Sequence, residues 1–266
     1  MPSLLFIGAG RMAEAVFKGV LAKPNPAFSP VYVSNQTNKA HLDKLTQVYP
    51  IEAISDWSEK VTEADVILIA APPSAHPSIL KTLRPLVRNQ LVLTVAAGIG
   101  PSDLEAQLPA GVATAWIMPN TAAQAGASIS LYTYGSHVTD TQKSYVESLV
   151  ASIGTGAQLS ESLIHELTAV TGSAPAFVYE FVIQLESIAQ SFGIDQSQAR
   201  NLVVQMLAGS ADMLKAGFTP TELRDQVTTP GGATEAGLKS LQADDFSGSI
   251  ARGVQAVTDH AKAKSN

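Results

Sequence analysis

A glycine-rich segment close to the start of the chain constrains the fold more than any other feature of the sequence. The apolar run Leu4–Ile7 leads directly into Gly8-Ala9-Gly10-Arg11-Met12-Ala13, and a helical segment follows. In a strand–loop–helix unit with this spacing, the first glycine permits a tight turn and the second lets a pyrophosphate approach the backbone. A small third residue, here Ala13, lets the helix pack closely on the strand. The segment therefore predicts a dinucleotide-binding loop at a helix start.

Short apolar runs recur through the first half of the chain and alternate with helical or turn-rich segments. Runs without polar alternation are typical of strands that are covered on both faces. We therefore predict a doubly wound α/β Rossmann domain over residues 1–158, with a parallel sheet between helices. The predicted strands are Leu4–Ile7, Val31–Ser34, Val66–Ala71, Leu91–Val95, Ala113–Met118 and Ile129–Tyr132.

The second half, residues 159–266, shows helical periodicity and no strand-like run. The segment from Leu163 to Ile188 carries apolar residues on nearly every face of a helix, which requires burial on nearly every face. Charged residues make up only 15% of the chain, against about 25% in typical soluble domains. We therefore predict an all-helical domain that packs against a second subunit, in a homodimer or a higher homo-oligomer built from dimers.

Composition excludes several classes of function. The formal net charge of −6 argues against general nucleic-acid binding. There is no cysteine, and the five histidines show no metal-ligand spacing, so we expect no metal. The N-terminus has no basic leader, and the weakly charged stretch 110–139 is interrupted by Pro119, Asn120 and Gly126. We expect a cytoplasmic protein with no membrane contact.

The choice of cofactor depends on the residues that follow the second predicted strand. An NAD-binding site usually has Asp or Glu there to bind the ribose 2′-hydroxyl, whereas Ser34–Lys39 offers only hydroxyls, amides and a lysine. A 2′-phosphate would be tolerated by these residues. The sequence therefore favours NADPH, with NADH possible; the alternative interpretation is a solvated loop whose residue types carry no meaning.

The most distinctive segment of the second half is Thr229-Pro230-Gly231-Gly232-Ala233-Thr234, which precedes a helical run. A proline and two glycines before a helix leave several backbone N–H groups exposed, and these can bind a carboxylate. The alternative interpretation is a glycine-rich turn in which Thr234 caps the helix.

Five motifs occur in the order found in one enzyme family, and together they span nearly the whole chain. The sequence resembles the pyrroline-5-carboxylate reductases, whose fold is a Rossmann domain followed by a helical domain that interlocks with a second subunit. The resemblance implies hydride transfer from NADPH to the C=N carbon of 1-pyrroline-5-carboxylate, giving L-proline. The motifs are Gly8–Ala13, Ala96–Ile99, Met118–Thr121, Thr171–Phe177 and Leu223–Leu238.

The resemblance also implies roles for individual residues. The N–H groups of Gly231, Gly232, Ala233 and Thr234 would hold the substrate carboxylate, with Thr229 beside them. The hydroxyl of Thr234 would bond the ring nitrogen, which makes it the candidate catalytic residue. No His or carboxylate stands out as a general acid, so the imine would arrive protonated or take a proton from water. The candidate cofactor-binding residues are Gly8, Gly10, Arg11, Met12, Ala13, Ser34, Asn35, Ala71, Pro72, Ala97, Gly98 and Asn120.

Several positions depart from the pattern of the family. They leave the fold prediction intact, but they open the question of substrate and cofactor preference. Arg11 replaces the usual Asn, Gln36 a frequent Arg, Ala71-Pro72-Pro73 the common Lys-Pro-Gln, Trp116 a usual Arg, and Thr171 and Ala174 a Ser and a Gly.

Two other functions remain open on the sequence alone. One is a related reductase of another cyclic imine or of a small acid, such as the β-hydroxyacid dehydrogenases. Those enzymes use a lysine on the first long helix after the Rossmann domain, and this chain has no lysine between Lys143 and Lys215. The other is a dinucleotide-binding paralogue that has kept the fold and lost turnover.

Overall fold

The structure is a computed structural model that describes residues 1–22, 27–36 and 38–265. The chain divides into two compact units: the first is Met1–Gly172 with the last residues of the chain, and the second is Ser173–Lys262. The domain boundary predicted from the sequence, between residues 158 and 159, follows the last strand directly. The compact first unit extends further, to Gly172, and includes the helix and most of the turn that come after that strand. The boundary between residues 158 and 159 stays a prediction.

The first unit contains an eight-stranded sheet in the order β3-β2-β1-β4-β5-β6-β7-β8. The pairs from β3 to β6 are all parallel, β7 is antiparallel to β6, and β8 is parallel to β7. The order of the strands reverses between β1 and β4, as in a doubly wound sheet. The strands are β1 Leu4–Ile7, β2 Val31–Ser34, β3 Glu52–Ile54, β4 Val66–Ile69, β5 Leu91–Thr94, β6 Ala113–Met118, β7 Ser128–Tyr134 and β8 Gly154–Gln158.

Helices cover both faces of this sheet. Along β1, Leu4 and Phe6 pack with α1, α2 and α5 on one face, and Leu5 and Ile7 pack with α3 and α4 on the other. All four residues of β1 are buried, which is why the strand reads as a continuous apolar run. The helices of the first unit are α1 Arg11–Leu21, α2 Lys39–Val48, α3 His76–Leu83, α4 Pro101–Gln107, α5 Asp140–Ile153 and α6 Glu161–Thr168.

The fold class predicted from the sequence is confirmed, with three corrections in the sheet. Strand β7 is antiparallel, because only a short 3-10 turn, Thr121–Ala125, connects it to β6, and a parallel crossover needs a longer connection. Strands β3 and β8 lie at the two edges and were not predicted. Each carries exposed positions, so neither forms the continuous apolar run of a strand covered on both faces.

The second unit is entirely helical. The apolar segment that begins at Leu163 is not one helix, since a π-helical turn, Ala169–Ser173, separates α6 from α7. Pro175 lies in the first turn of α7, where a missing N–H has no cost. The helices of this unit are α7 Ala174–Ser191, α8 Gln196–Lys215, α9 Pro220–Gln226, α10 Ala233–Ala243 and α11 Phe246–Ser265, the last of which ends in residues assigned to the first unit.

Helix α7 pairs with α8 but remains largely exposed in the single chain. Its only buried residue is Glu186, which receives two hydrogen bonds from Arg200 at 3.0 and 3.2 Å. Several large apolar side chains on α7 are between 43% and 55% exposed, namely Val178, Tyr179, Phe181, Ile183 and Ile188. The described helices include none with the length and apolar character of a membrane span.

Candidate active site

The glycine-rich loop is held against two neighbouring strands. The N–H of Gly8 donates to the carbonyl oxygen of Ser34 at 2.9 Å. Gly8 has φ +110°, and a Cβ at this position would lie 2.7 Å from the carbonyl oxygen of Ala70. The positive φ and the short distance from the Cβ position to Ala70 both require glycine here, because a side chain would force the loop away from the end of β4.

The second glycine of the loop begins helix α1. Gly10 is the N-cap, and the first helical hydrogen bond runs from the N–H of Glu14 to its carbonyl oxygen. The N–H groups of Arg11, Met12 and Ala13 therefore have no acceptor among the described residues. Apart from its chain neighbours, no atom of the described residues lies within 4 Å of the position that a Cβ would take on Gly10, so a ligand can approach the backbone closely at this glycine. This geometry suits a pyrophosphate.

The loop that follows β2 is folded back onto the glycine-rich loop. Ser34 is buried, and the side-chain amide of Asn35 donates to the carbonyl oxygen of Asn38 at 3.1 Å. The side chain of Asn38 caps α2 by accepting from the N–H of His41, whose Nε2 lies 3.1 Å from the carbonyl oxygen of Ala9. The start of α2 is thus fixed beside the candidate pyrophosphate position.

This loop presents no carboxylate in its described residues. Gln36 and Lys39 are exposed, and the first turn of α2 contains no acidic residue. Thr37, which the sequence analysis includes in this segment, lies outside the described residues. A ribose 2′-phosphate would therefore meet no negative side chain from these positions.

Two further loops follow β4 and β5, and a chain of buried hydrogen bonds joins them. Nδ1 of His76 lies 3.1 Å from the carbonyl oxygen of Pro72, and its Nε2 lies 2.8 Å from Oγ1 of Thr94. The N–H of Ala96 donates to the same Oγ1 at 3.0 Å. Burial lowers the pKa of His76, which favours the neutral ring. Ala71 and Pro72 belong to the first loop, and Ala97 and Gly98 to the second.

Trp116, a departure from the family pattern, lies beneath the loop after β5. Its indole is fully buried, and Nε1–H donates to the carbonyl oxygen of Ala96 at 2.9 Å. The ring also packs against His165, with ring centroids 4.7 Å apart. Trp116 therefore provides a buried hydrogen-bond donor to the backbone of this loop. Two residues further along the loop, Gly98 has φ +79°.

Asn120, which follows β6, forms hydrogen bonds with the surrounding chain through both its side chain and its backbone N–H. Its Oδ1 accepts from the N–H of Ala122 at 3.1 Å, and its Nδ2 donates to the carbonyl oxygen of Thr171 at 3.2 Å. Its own N–H donates to Oγ of Ser128. Asn120 thus connects the end of β6 to the π-helical turn, a type of element that is frequent at functional sites.

All twelve candidate cofactor residues lie at one edge of the sheet, at the ends of strands, in the loops that follow them or in the first turn of α1. These loops follow the carboxyl ends of β1, β2, β4, β5 and β6, which run parallel to one another. In open α/β sheets, ligands bind outside the carboxyl ends of the strands. The structure places the residues together, although their contact with a cofactor remains a prediction.

In the second unit, two N–H groups of the proline–glycine loop are already engaged. The N–H of Gly231, which has φ +74°, donates to Oε2 of Glu235 at 2.8 Å. The N–H of Gly232 donates to the carbonyl oxygen of Thr229 at 2.8 Å. The hydrogen bond from Gly231, with a second from Lys239, lowers the pKa of Glu235, so this carboxylate is ionised at neutral pH.

Two other N–H groups of the same loop are available. Gly232 is the N-cap of α10, because its carbonyl oxygen accepts the first helical hydrogen bond, from Ala236. The N–H groups of Ala233 and Thr234 have no acceptor among the described residues. Thr234 is the second helical residue and is exposed, so it is not the cap of the helix.

Three residues that shape these loops were not predicted from the sequence: His76, Thr94 and Glu235. A buried histidine and threonine in separate segments give no local signal of their pairing. Glu235, in contrast, had a signal, since it lies four residues after Gly231, a spacing that brings a helical side chain back over the preceding turn.

A helix start with free N–H groups, next to a loop after β2 that has no carboxylate among its described residues, is typical of one class of protein: the Rossmann-fold oxidoreductases that bind nicotinamide dinucleotides. A sequence model described as "Pyrroline-5-carboxylate reductase dimerisation" matches residues 161–264. Another, described as "NADP oxidoreductase coenzyme F420-dependent", matches residues 3–98.

Comparisons over the whole chain agree with these matches. Pyrroline-5-carboxylate reductase 2 of Bacillus subtilis is 32% identical over 251 residues, covering 94% of this chain and 90% of that protein. A crystal structure of Plasmodium falciparum pyrroline carboxylate reductase with NADP bound superimposes with a TM-score of 0.89 at 26% identity, covering 100% of this chain and 98% of that one. The Streptococcus pyogenes reductase gives 0.88 at 26% identity, with 98% of each chain covered. The chain belongs to the pyrroline-5-carboxylate reductase family.

Cofactor preference can be tested at Ser34. The variant Ser34→Asp should lower the ratio of kcat/KM with NADPH to that with NADH by roughly tenfold or more, because a carboxylate at this predicted cofactor position would repel a 2′-phosphate. Ser34→Asn is the matched control, because asparagine has nearly the size of aspartate but no charge. This variant should keep the NADPH preference. Equal or better use of NADH by the unmodified protein would contradict this account.

Proposed function

We propose how this chain performs the reaction of its family. The chain is an NAD(P)H-dependent oxidoreductase that reduces the C=N bond of 1-pyrroline-5-carboxylate, which yields proline. The observation that carries this conclusion is the similarity over nearly the entire chain to pyrroline-5-carboxylate reductases, in sequence and in structure. NADPH is the cofactor. Cytoplasmic location stays a prediction from the sequence.

The carboxyl edge of the sheet fits this cofactor. The pyrophosphate would accept hydrogen bonds from the N–H groups of Arg11, Met12 and Ala13, which the open face of Gly10 leaves accessible. Ser34 and Asn35 would lie at the ribose phosphate, where the absence of a carboxylate among the described residues favours NADPH. When bound, NADPH supplies the hydride.

Arg11 adds a positive charge at this position. Its side chain is exposed and forms no ion pair or hydrogen bond with any residue in the described ranges. A guanidinium beside a helix start strengthens phosphate binding, because it donates charge-assisted hydrogen bonds in addition to those from the backbone N–H groups. This departure from the family pattern is therefore compatible with binding of a phosphorylated cofactor.

We assign the substrate carboxylate to the N–H groups of Ala233 and Thr234. These groups are free of acceptors within the described chain, whereas those of Gly231 and Gly232 are engaged by Glu235 and Thr229. A carboxylate at the start of α10 also gains from the helix dipole. Binding to Gly231 as well would require displacement of the Glu235 carboxylate.

The hydroxyl of Thr234 would bond the ring nitrogen of the imine. Anchoring the carboxylate on adjacent N–H groups orients the C=N carbon for hydride transfer, and orientation alone can contribute several orders of magnitude to a rate. Glu235 is not a suitable proton donor, because its lowered pKa keeps it ionised. We propose that the proton on nitrogen comes with the imine or from water, as the sequence also suggests.

The role of Thr234 gives a direct mutational test. Thr234→Ala should lower kcat/KM by roughly tenfold to a few hundredfold, as expected for the loss of about 1.5–3 kcal/mol from one hydrogen bond at a reacting centre. Since Gly232 caps α10, the melting temperature should change little. Thr234→Ser should retain most of the activity.

Two measurements on the same samples separate the interpretations: thermal melting and steady-state oxidation of NADPH with pyrroline-5-carboxylate. A Thr234→Ala variant that melts early but turns over normally would assign Thr234 to the scaffold. Normal turnover and normal melting would remove it from the site altogether.

We also propose that the chain functions as a homodimer formed through its helical unit. The exposed apolar side chains of α7 support this, because an uncovered surface of this kind is rare on a monomer. The match of residues 161–264 to the dimerisation region of the family supports it as well. Assembly beyond the dimer stays open.

Light scattering tests this assembly. The unmodified protein should have at least twice the chain mass of 27.8 kDa. Phe181→Glu, which places a charge on the exposed face of α7, should shift the protein toward monomer or aggregate. Val48→Glu changes an equally apolar and more exposed residue of the first unit, and should leave the mass unchanged. A stable mass near 27.8 kDa for the unmodified protein would contradict the proposal.

A further inference from the structure

A buried chain of three hydrogen bonds joins the loop after β4 to the loop after β5. It runs from the N–H of Ala96 to Oγ1 of Thr94 at 3.0 Å, then to Nε2 of His76 at 2.8 Å, and from Nδ1 of His76 to the carbonyl oxygen of Pro72 at 3.1 Å. His76 is 1% exposed and Thr94 is 0% exposed. Solvent therefore cannot replace the bonds that Thr94 makes with His76 and Ala96, whereas Pro72, at the far end of the chain, is exposed.

The hydroxyl of Thr94 has two acceptors within reach, Nε2 of His76 at 2.8 Å and the carbonyl oxygen of Ile69 at 3.3 Å, so the surroundings of Nδ1 decide which neutral tautomer His76 adopts. The carbonyl oxygen of Pro72 already accepts from the N–H of Ala75 at 2.9 Å, but Nδ1 of His76 also lies 3.1 Å from it. Nδ1 therefore carries the proton, and Nε2 accepts from the hydroxyl of Thr94 at 2.8 Å. The other neutral tautomer would place the Nδ1 lone pair against the carbonyl oxygen of Pro72. The chain is therefore directional, with each group donating to the next from Ala96 to His76 and from there to Pro72.

These hydrogen bonds lie at the carboxyl ends of β4 and β5. Ile69 of β4 pairs with Thr94 of β5, so the residues beyond them leave the regular ladder. The N–H of Ala96 is held by Thr94, and its carbonyl oxygen is held by Nε1 of Trp116. Both backbone polar groups of Ala96 are therefore fixed by buried side chains, immediately before the loop residues Ala97 and Gly98.

We propose that His76 and Thr94 are positioning residues that set the spacing between the Ala71–Pro72 loop and the Ala97–Gly98 loop for NADPH. This inference rests on the proposed function and on the prediction from the sequence that both loops contact the cofactor. Neither residue touches the cofactor, and each acts through the backbone that it holds. The hydrogen-bond chain matters because the two loops have no ladder between them at this point.

The test is the affinity for NADPH, measured by isothermal titration calorimetry. Thr94→Val keeps the shape of the side chain but leaves the N–H of Ala96 and Nε2 of His76 unpaired. We expect the Kd for NADPH to rise by roughly 5- to 30-fold, as for the loss of a buried hydrogen bond whose partners remain unsatisfied. Thr94→Ser, which restores the hydroxyl, should return the Kd to within about threefold of the original value.

A second buried threonine provides the matched control. Thr114 is 0% exposed, lies on the neighbouring strand β6, and donates from its hydroxyl to Glu105 at 3.2 Å. It is near the amino end of β6, at the opposite edge of the sheet from the cofactor loops. Thr114→Val should lower the melting temperature without changing the Kd for NADPH, which separates loss of stability from loss of loop position.

A double variant tests whether His76 and Thr94 act as one unit. His76→Leu removes both ring nitrogens at similar volume, and combining it with Thr94→Val should weaken NADPH binding less than the product of the two single effects. Independent effects, or an unchanged Kd in Thr94→Val, would overturn the inference while leaving the proposed function intact. Failure of the unmodified protein to bind NADPH would overturn both.

Discussion

The contact between Gly8 and the end of β4 determines how the first unit presents its loops. A glycine with positive φ lets the chain turn within van der Waals distance of the Ala70 carbonyl, and the Gly8 N–H is bonded to Ser34 at the end of β2. The first loop is thus fixed to both neighbouring strands at once. The start of α1 then faces the carboxyl edge of the sheet with its N–H groups free, and the other loops are arranged around it.

Much of this arrangement could be predicted because it depends on local sequence. Strands covered on both faces must be continuously apolar, and β1, β2 and β6 were predicted at their observed bounds. Strand β3, with two exposed residues, and β8, with two glycines, lack that signal. The direction of β7 is set by the short connection that precedes it, and the apolar pattern of a strand is the same in either direction.

The residues of the candidate site, too, could be predicted from the sequence only in part. Residues at helix starts, such as Gly10 and Ala233, could be predicted because they follow glycine-rich turn signals. The resemblance to the family directs attention to Thr234. The pairing of His76 with Thr94 could not be predicted, since it depends on two strands meeting in the sheet. Trp116 was noted only as a departure. The structure shows what it does there, as a buried donor to the carbonyl oxygen of Ala96.

The central claim is that this chain moves a hydride from NADPH to the C=N carbon of a cyclic imino acid. The most direct measurement uses NADPH that carries deuterium at the transferable position of the nicotinamide, with pyrroline-5-carboxylate as substrate and mass spectrometry of the product. The account predicts proline that contains one deuterium atom per molecule. Proline without deuterium, or oxidation of NADPH with no proline formed, would contradict it.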